Sequence, residues 1–174
     1  NIFRSNFIIN NVNYKDIFSD AIDVDFSDGE INRGRFININ NDALDFSGSK
    51  VTINDTYFNN VRDKLISVGE ESNVKIYKVK GVNSYAGIIS KDGSKVYSDN
   101  INFDGVQIPF AAYQKKKEYR HASLIAKNYI VNNYLAKSIK DKFSKVFIND
   151  KSIEVESNEI LPIIYEKKLS LIKQ

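Results

Sequence analysis

Three groups of side chains in this sequence have types and spacings that could do chemistry. The first is acidic. Asp20, Asp23 and Asp25 fall in one short stretch, and Asp42 and Asp45 fall in another that repeats its order. Carboxylates brought within a few ångströms of one another repel unless a proton, an ammonium group or a hard cation offsets the charge, and Ca2+ is the cation that such an all-oxygen set would take. The alternative is a solvated acidic patch partnered by Arg33, Arg35 or Lys64. If the carboxylates stack without a cation, at least one of them should have a raised pKa. The second group is basic: Lys64, Lys91 and Lys115, followed by Arg120 and His121, the only histidine. A lysine beside carboxylates can remove a proton from carbon, and a nearby Arg or His can serve a leaving oxygen. Lysines also commonly decorate exposed sheets, where they limit edge pairing. The third group, Tyr113, Lys115, Lys116 and Tyr119, interleaves rings with ammonium groups. It would stack on sugar rings and hold anionic substituents, or it is an ordinary long turn.

These residues need elements to position them, and the chain supplies a repeat. Asp20-Ala21-Ile22-Asp23-Val24-Asp25-Phe26-Ser27 returns as Asp42-Ala43-Leu44-Asp45-Phe46-Ser47, and its apolar alternation returns in Asp63-Lys64-Leu65-Ile66-Ser67-Val68-Gly69-Glu70. Ala21 and Ala43 are 22 residues apart, and Ser49 and Ser72 are 23 apart. A period of this length marks units that cannot bury an apolar face alone and must stack. Within each unit the apolar residues alternate by two, as in Ile22-Val24-Phe26, Leu44-Phe46 and Val74-Ile76, which specifies strands. Asn and Gly at the unit ends tolerate the left-handed backbone of tight bends. Serines at positions 49, 72 and 94 and asparagines at 38, 59 and 83 are expected to form structural ladders.

Stacked turns put equivalent strands about 4.8 Å apart in parallel sheets, with Asp45 on Asp23 and Asp42 on Asp20. The expected fold is therefore all-β, a right-handed parallel β-helix of about six coils over residues 1–143, with a C-terminal hairpin and capping segment over 144–174. Asn13–Ser19 and Tyr113–His121 read as insertions. Residues 118–143 read as strands rather than an amphipathic helix, because Lys127-Asn128-Tyr129-Ile130-Val131 matches Asp99-Asn100-Ile101-Asn102-Phe103. Asn149-Asp150 is expected to turn a hairpin.

Composition narrows the function classes. Twenty-five basic and 22 acidic residues leave a net charge of +3, too small to suggest a nucleic-acid partner. The absence of cysteine excludes a disulfide scaffold and thiolate metal sites. No apolar run is long enough to span a membrane as a helix. The chain opens at Asn1 without Met, as a processed chain or a piece of a longer one would, and its abrupt first coil leaves an open N-terminal edge for a neighbouring domain or chain.

The stretches Asp20–Asp25, Asn41–Ser49, Asp63–Glu70 and Ser90-Lys91-Asp92-Gly93-Ser94 resemble the right-handed parallel β-helix repeat proteins of the pectate-lyase-like superfamily, over roughly residues 1–135. The resemblance implies either a catalytic member acting on polysaccharides or a non-catalytic module of a larger protein. Where polygalacturonase-like hydrolases carry their paired carboxylates and histidine, this chain has Ser19-Asp20, Asn41-Asp42 and Asp63-Lys64, so half of an inverting pair is missing. A mannuronan epimerase's Asp-Pro-His motif has no counterpart. The leading expectation is a non-catalytic extracellular or cell-surface module that serves as a scaffold and binds a glycan or partner, with no required cofactor. The alternative is a Ca2+-assisted lyase or epimerase on uronate polysaccharides, with Lys64 or Lys91 as base and Arg120 or His121 as acid.

Overall fold

The computed structural model describes residues 1–152 and 159–167. They form a parallel β-solenoid of about seven turns, with one short helix. The first turn is complete: β1 (Ile2–Phe3), β2 (Asn6–Asn10) and β3 (Asn13–Ile17). Next come β4 (Ile22–Asp25), β5 (Asp28–Asn32) and β6 (Arg35–Ile39), then β7 (Leu44–Ser47), β8 (Lys50–Val61) and β9 (Lys64–Gly69). Strands β10 (Asn73–Lys91) and β11 (Lys95–Tyr113) each run around three sides. The chain continues through β12 (Ser123–Asn132), β13 (Ser138–Lys140), β14 (Lys145–Ile148), β15 (Lys151–Ser152) and α1 (Ile160–Glu166). Among the described residues, no helix is long and apolar enough to cross a membrane.

Each turn has three sides because the backbone enters the left-handed region three times. One corner is made by Arg4, Phe26, Gly48, Glu70 and Asp92. The second is made by Asn11, Arg33, Asp55, Lys78, Asn100 and Asn128, and the third by Asp16, Asn38, Asn60, Asn83, Gly105 and Asn133. A left-handed residue costs about 1–2 kcal/mol unless it is Gly or a short polar side chain that bonds locally, which accounts for the Asn-rich third corner. Its side chains form a ladder: the Asn60 amide donates to Asn38 Oδ1 (2.9 Å) and the Asn38 amide to Asp16 Oδ1 (2.7 Å). The ladder thus uses Asn60, one residue beyond the expected Asn59. A serine ladder runs beside the first corner: the Ser27 amide donates to Ser49 Oγ and the Ser49 amide to Ser72 Oγ, both at 3.0 Å. Buried amides at the bends are thus satisfied from coil to coil, although the ladder stops at Ser72 and the expected Ser94 rung leaves its Oγ without a partner.

Inside, like residues pile up. Tyr14, Phe36 and Phe58 stack nearly parallel, with ring centroids 5.5 and 5.2 Å apart. Gly81 follows Phe58 in register and leaves room for Leu65, whose Cδ1 a Cβ there would strike. The register settles the two expected insertions differently. Asn13, Tyr14, Lys15 and Ile17 pair residue for residue with Arg35, Phe36, Ile37 and Ile39, so that stretch is an ordinary third side. The loop after Tyr113 is a true insertion, spanned before β12 resumes the stack with Lys127 on Asp99 and Val131 on Phe103. β14 pairs in parallel with β12, which carries the coil past residue 143, and β15 then folds back antiparallel through Asn149-Asp150. A complete first turn and this last strand explain why the count exceeds six. Residues 153–158 and 168–174 of the expected hairpin and capping segment lie outside the described residues.

The C-terminal helix departs from the repeat. Ile160, Ile163 and Ile164 share one helical face, Pro162 sits in the first turn, where its missing N–H costs nothing, and Lys167 ends the helix in the left-handed conformation. The three isoleucines pack on Tyr85, Ala86, Ile89, Ile108, Ala111, Tyr113 and Ile139, a cluster distinct from the coil core.

Candidate functional site

The sheet side formed by β4, β7, β9 and the last thirds of β10 and β11 carries the candidate residues. Its register sets Asp23 beside Asp45, Asp45 beside Ser67, Ser67 beside Ile89, Ile89 beside Ala111 and Ala111 beside Ile139. A face that is acidic in the early coils thus becomes apolar in the later ones, and α1 covers the apolar part.

Asp20, Asp42 and Lys64 form a second column at the entry to this side. Asp20 Oδ1 accepts the Asp42 amide at 2.9 Å, and Asp42 Oδ1 accepts the Lys64 amide at 3.0 Å. Each carboxylate does for the next coil what a ladder carbonyl does elsewhere. The Lys64 ammonium then donates back to Asp42 Oδ1 (3.2 Å) and to Asp63 Oδ2 (2.8 Å), with its side chain 3% exposed. Lys91 reaches Asp45 Oδ1 at 3.7 Å. Five charged groups therefore interlock, three carboxylates against two ammonium groups. Arg33 and Arg35 go elsewhere, to Asn11 and to the ring of Tyr57.

The electrostatics follow from burial and from the excess of acid. Desolvation, against the pull of Lys64, pushes the Asp42 carboxyl up to about 7. Desolvation also raises Asp20 and Asp23, with Asp45 adding to both. Burial is thus the main cause of the rise, and repulsion between neighbouring carboxylates adds to it. Burial pulls Lys64 and Lys91 down, but their carboxylate partners more than offset it and hold both lysines above the ordinary lysine value. A lysine that holds its proton this firmly does not serve as a general base. That state weighs against the expected role of Lys64 or Lys91 as a proton-abstracting base.

The loop between β11 and β12 closes over the first corner. Asp92 Oδ1 accepts the amides of Lys115 (2.6 Å) and Lys116 (2.7 Å), and Asp141 Oδ2 accepts the Gln114 amide (2.6 Å). Glu70 takes the Lys116 ammonium at 2.6 Å and the Ser47 hydroxyl at 2.5 Å, bonds that lower its pKa against the upward push of burial. Tyr113, expected to stack on sugar, is fully buried, its hydroxyl 2.9 Å from that of Tyr165. Large residues of the apolar face cover it, so the carbohydrate-binding expectation fails there. Tyr119, Lys115 and Lys116 keep solvent access. Arg120 is exposed, and His121 lies against Phe143 (centroids 4.9 Å apart) with Nδ1 3.8 Å from Asp141.

Tyr165, Asp63 and Glu70 complete the arrangement without having been singled out from the sequence. The Tyr165 ring lies over Lys64 (4.9 Å) and Lys115 (4.3 Å). Asp63 was legible in principle as the neighbour of Lys64. Tyr165, outside the repeat, offered only the helical spacing of Ile160, Ile163 and Ile164. Among the described residues, no group of three or more His, Cys, Asp or Glu is placed to hold a metal ion. Asp25 pairs in register with Phe3 and Ser47, away from the Asp20–Asp42 column. No protein-family profile, curated protein or solved structure matches this chain.

Proposed function

We propose that the chain is a non-catalytic module of a larger extracellular or cell-surface protein, built as a pectate-lyase-like parallel β-helix, that serves as a scaffold and binds a glycan or protein partner. Right-handed winding accords with the strong bias of parallel crossovers. The observation that carries the functional reading is the state of Lys64. It is buried, paired to two carboxylates and overlain by Tyr165, and a side chain so committed stabilises a face rather than working on a substrate. The distribution of exposed apolar side chains also supports a module with neighbours. Among the described residues the large ones are Phe3, Ile8, Phe18 and Phe26 in the first two turns, then Ile130, Tyr134, Leu135, Phe143 and Leu161 near the other end. The partner we assign to the N-terminal edge is a neighbouring domain or chain that covers the half-buried Ile2, Phe7, Ile9, Val12, Tyr14 and Ile17.

The competing proposal is a Ca2+-assisted lyase or epimerase on an acidic polysaccharide. Its support is the gathering of Asp20, Asp42, Asp45, Lys64 and Lys91 on one side, beside a loop with accessible Lys115, Lys116 and Tyr119. Incubation with alginate and with pectin plus Ca2+, followed by ultraviolet absorbance of unsaturated products, separates a lyase from a module. The module predicts no product and no Ca2+-dependent rise in Tm. Product formation that Lys64→Met abolishes would overturn it.

A further inference from the structure

We propose that α1 is a displaceable strap: it leaves the sheet as a unit while the coils stay folded, and its departure uncovers the lysines and carboxylates of the face beneath it. This adds a conformational device to the molecule and is independent of what the module binds.

The first support is the separation of the two apolar clusters. Among the described residues, Ile160, Ile163 and Ile164 pack with the outward residues of the later turns, whereas the coil core closes around its own stacks without them. The ladders that join coil to coil run between strands and take nothing from α1. Removing the helix therefore exposes a face without opening the core.

The second support is the helix itself. It has seven residues, no side-chain N-cap, no acidic residue in its first turn and no basic residue in its last. A helix this short does not hold together alone, because nucleation is costly and few bonds follow it. Its order depends on docking, so it is either docked and helical or released and unfolded. Three polar ties join it to the sheet among the bonds seen between described residues. The Tyr85 hydroxyl donates to the Ile163 carbonyl, Tyr113 and Tyr165 share a hydroxyl bond, and the Lys167 ammonium donates to the Arg62 carbonyl at 2.8 Å.

The third support is what lies in this part of the molecule. Asp45 Oδ1, Asp63 Oδ1 and Ser67 Oγ are buried without a hydrogen-bond partner, beside ammonium groups that also lack full solvation. Water reaching these atoms would repay part of the apolar burial lost when α1 lifts. Asp92 Oδ2, Ser94 Oγ and Gln107 Oε1 are the other buried side-chain atoms without a partner among the described residues. Incomplete satisfaction near α1, together with a helix that cannot stand alone, is the composition of a low-stability unit on a stable scaffold.

Amine acetylation read by mass spectrometry tests this in the full chain, with exposed Lys75 as the internal standard. In the native protein Lys64 should react roughly tenfold or more slowly than Lys75, as a mostly closed strap requires. In Ile164→Asp, Lys64 should react several-fold faster than in the native protein while staying slower than Lys75, because its carboxylate partners remain; α1 should become sensitive to protease, and the β-sheet circular dichroism and its thermal transition should persist. Native-state hydrogen exchange supplies a readout that needs no variant, with α1 amides exchanging well before those of β10 and β11. The proposal is overturned if Ile164→Asp loses the coils together with the helix, if Lys64 reacts no faster in that variant than in the native protein, or if α1 and the strands exchange together.

Discussion

Replacing Lys64 with methionine isolates the electrostatic part of this face. Methionine keeps the length and apolar body of the side chain, and such volume-conserving changes usually cost less than about 1.5 kcal/mol in packing. What is lost is the ammonium, 3.2 Å from Asp42 and 2.8 Å from Asp63. Removing one partner of a buried pair strands the other charge and costs about 3–5 kcal/mol. Asp42, already pushed up to about 7, escapes part of that penalty by taking a proton, which favours the lower end of the range near neutral pH. At about 2–4 °C per kcal/mol for a chain of this size, the expected loss is about 6–12 °C in Tm, measured by circular dichroism with the sheet signal as the probe. The double variant Lys64→Met with Asp42→Asn should recover part of it, because the stranded carboxylate goes too, and the two changes should be non-additive by about 0.5–3 kcal/mol. A change below about 1 kcal/mol for Lys64→Met, the size of an exposed pair, would refute the claim that this lysine is a buried structural cation.

Other outcomes follow from the same structure. Asp42 binds its proton more tightly folded than unfolded, so its contribution to stability is fullest when protonated and declines as pH rises from its ordinary 3.8 to about 7. Thermal melts of the native protein and Asp42→Asn across that window should show the native protein losing ground as pH rises, whereas a gap that widens in its favour would contradict the raised pKa. Ser49→Ala removes the acceptor of the buried Ser27 amide and should destabilise the fold by about 1–3 kcal/mol in urea unfolding. A neutral result would mean that water or another group replaces the hydroxyl. Gly87→Ala would drive a Cβ into the carbonyl oxygen of Pro109, a backbone atom that cannot swing aside, and should cost about 1–3 kcal/mol or more by the same measurement.

The repeat was readable because each turn has to satisfy the same constraints. Alternating residues such as Ile22 and Val24 fill the core, and Asn38 and Asn60 occupy left-handed corners one turn apart. The column Asp20–Asp42–Lys64 was visible as a stack, but its meaning was not. Sequence spacing places the carboxylates together without saying that their oxygens accept the amides of the next coil. Tyr113 looked like part of an open binding loop, and only the tertiary packing of α1 against Tyr85, Ile89 and Ile108 shows that its ring is enclosed. Nor did Asn13–Ser19 betray that it is a regular side, since its apolar positions, Tyr14 and Ile17, are sparse and only their pairing to Phe36 and Ile39 reveals the register.

The central claim is that Lys64 is a permanently charged structural group under a covering helix. The Cε chemical shift of Lys64, followed by NMR across the alkaline range in selectively labelled protein, tests it most directly. The account predicts that Lys64 keeps its proton beyond the ordinary lysine value of 10.5. A Lys64 that titrates below that value, toward neutrality, would be a poised base, and the structural reading of this face would be wrong.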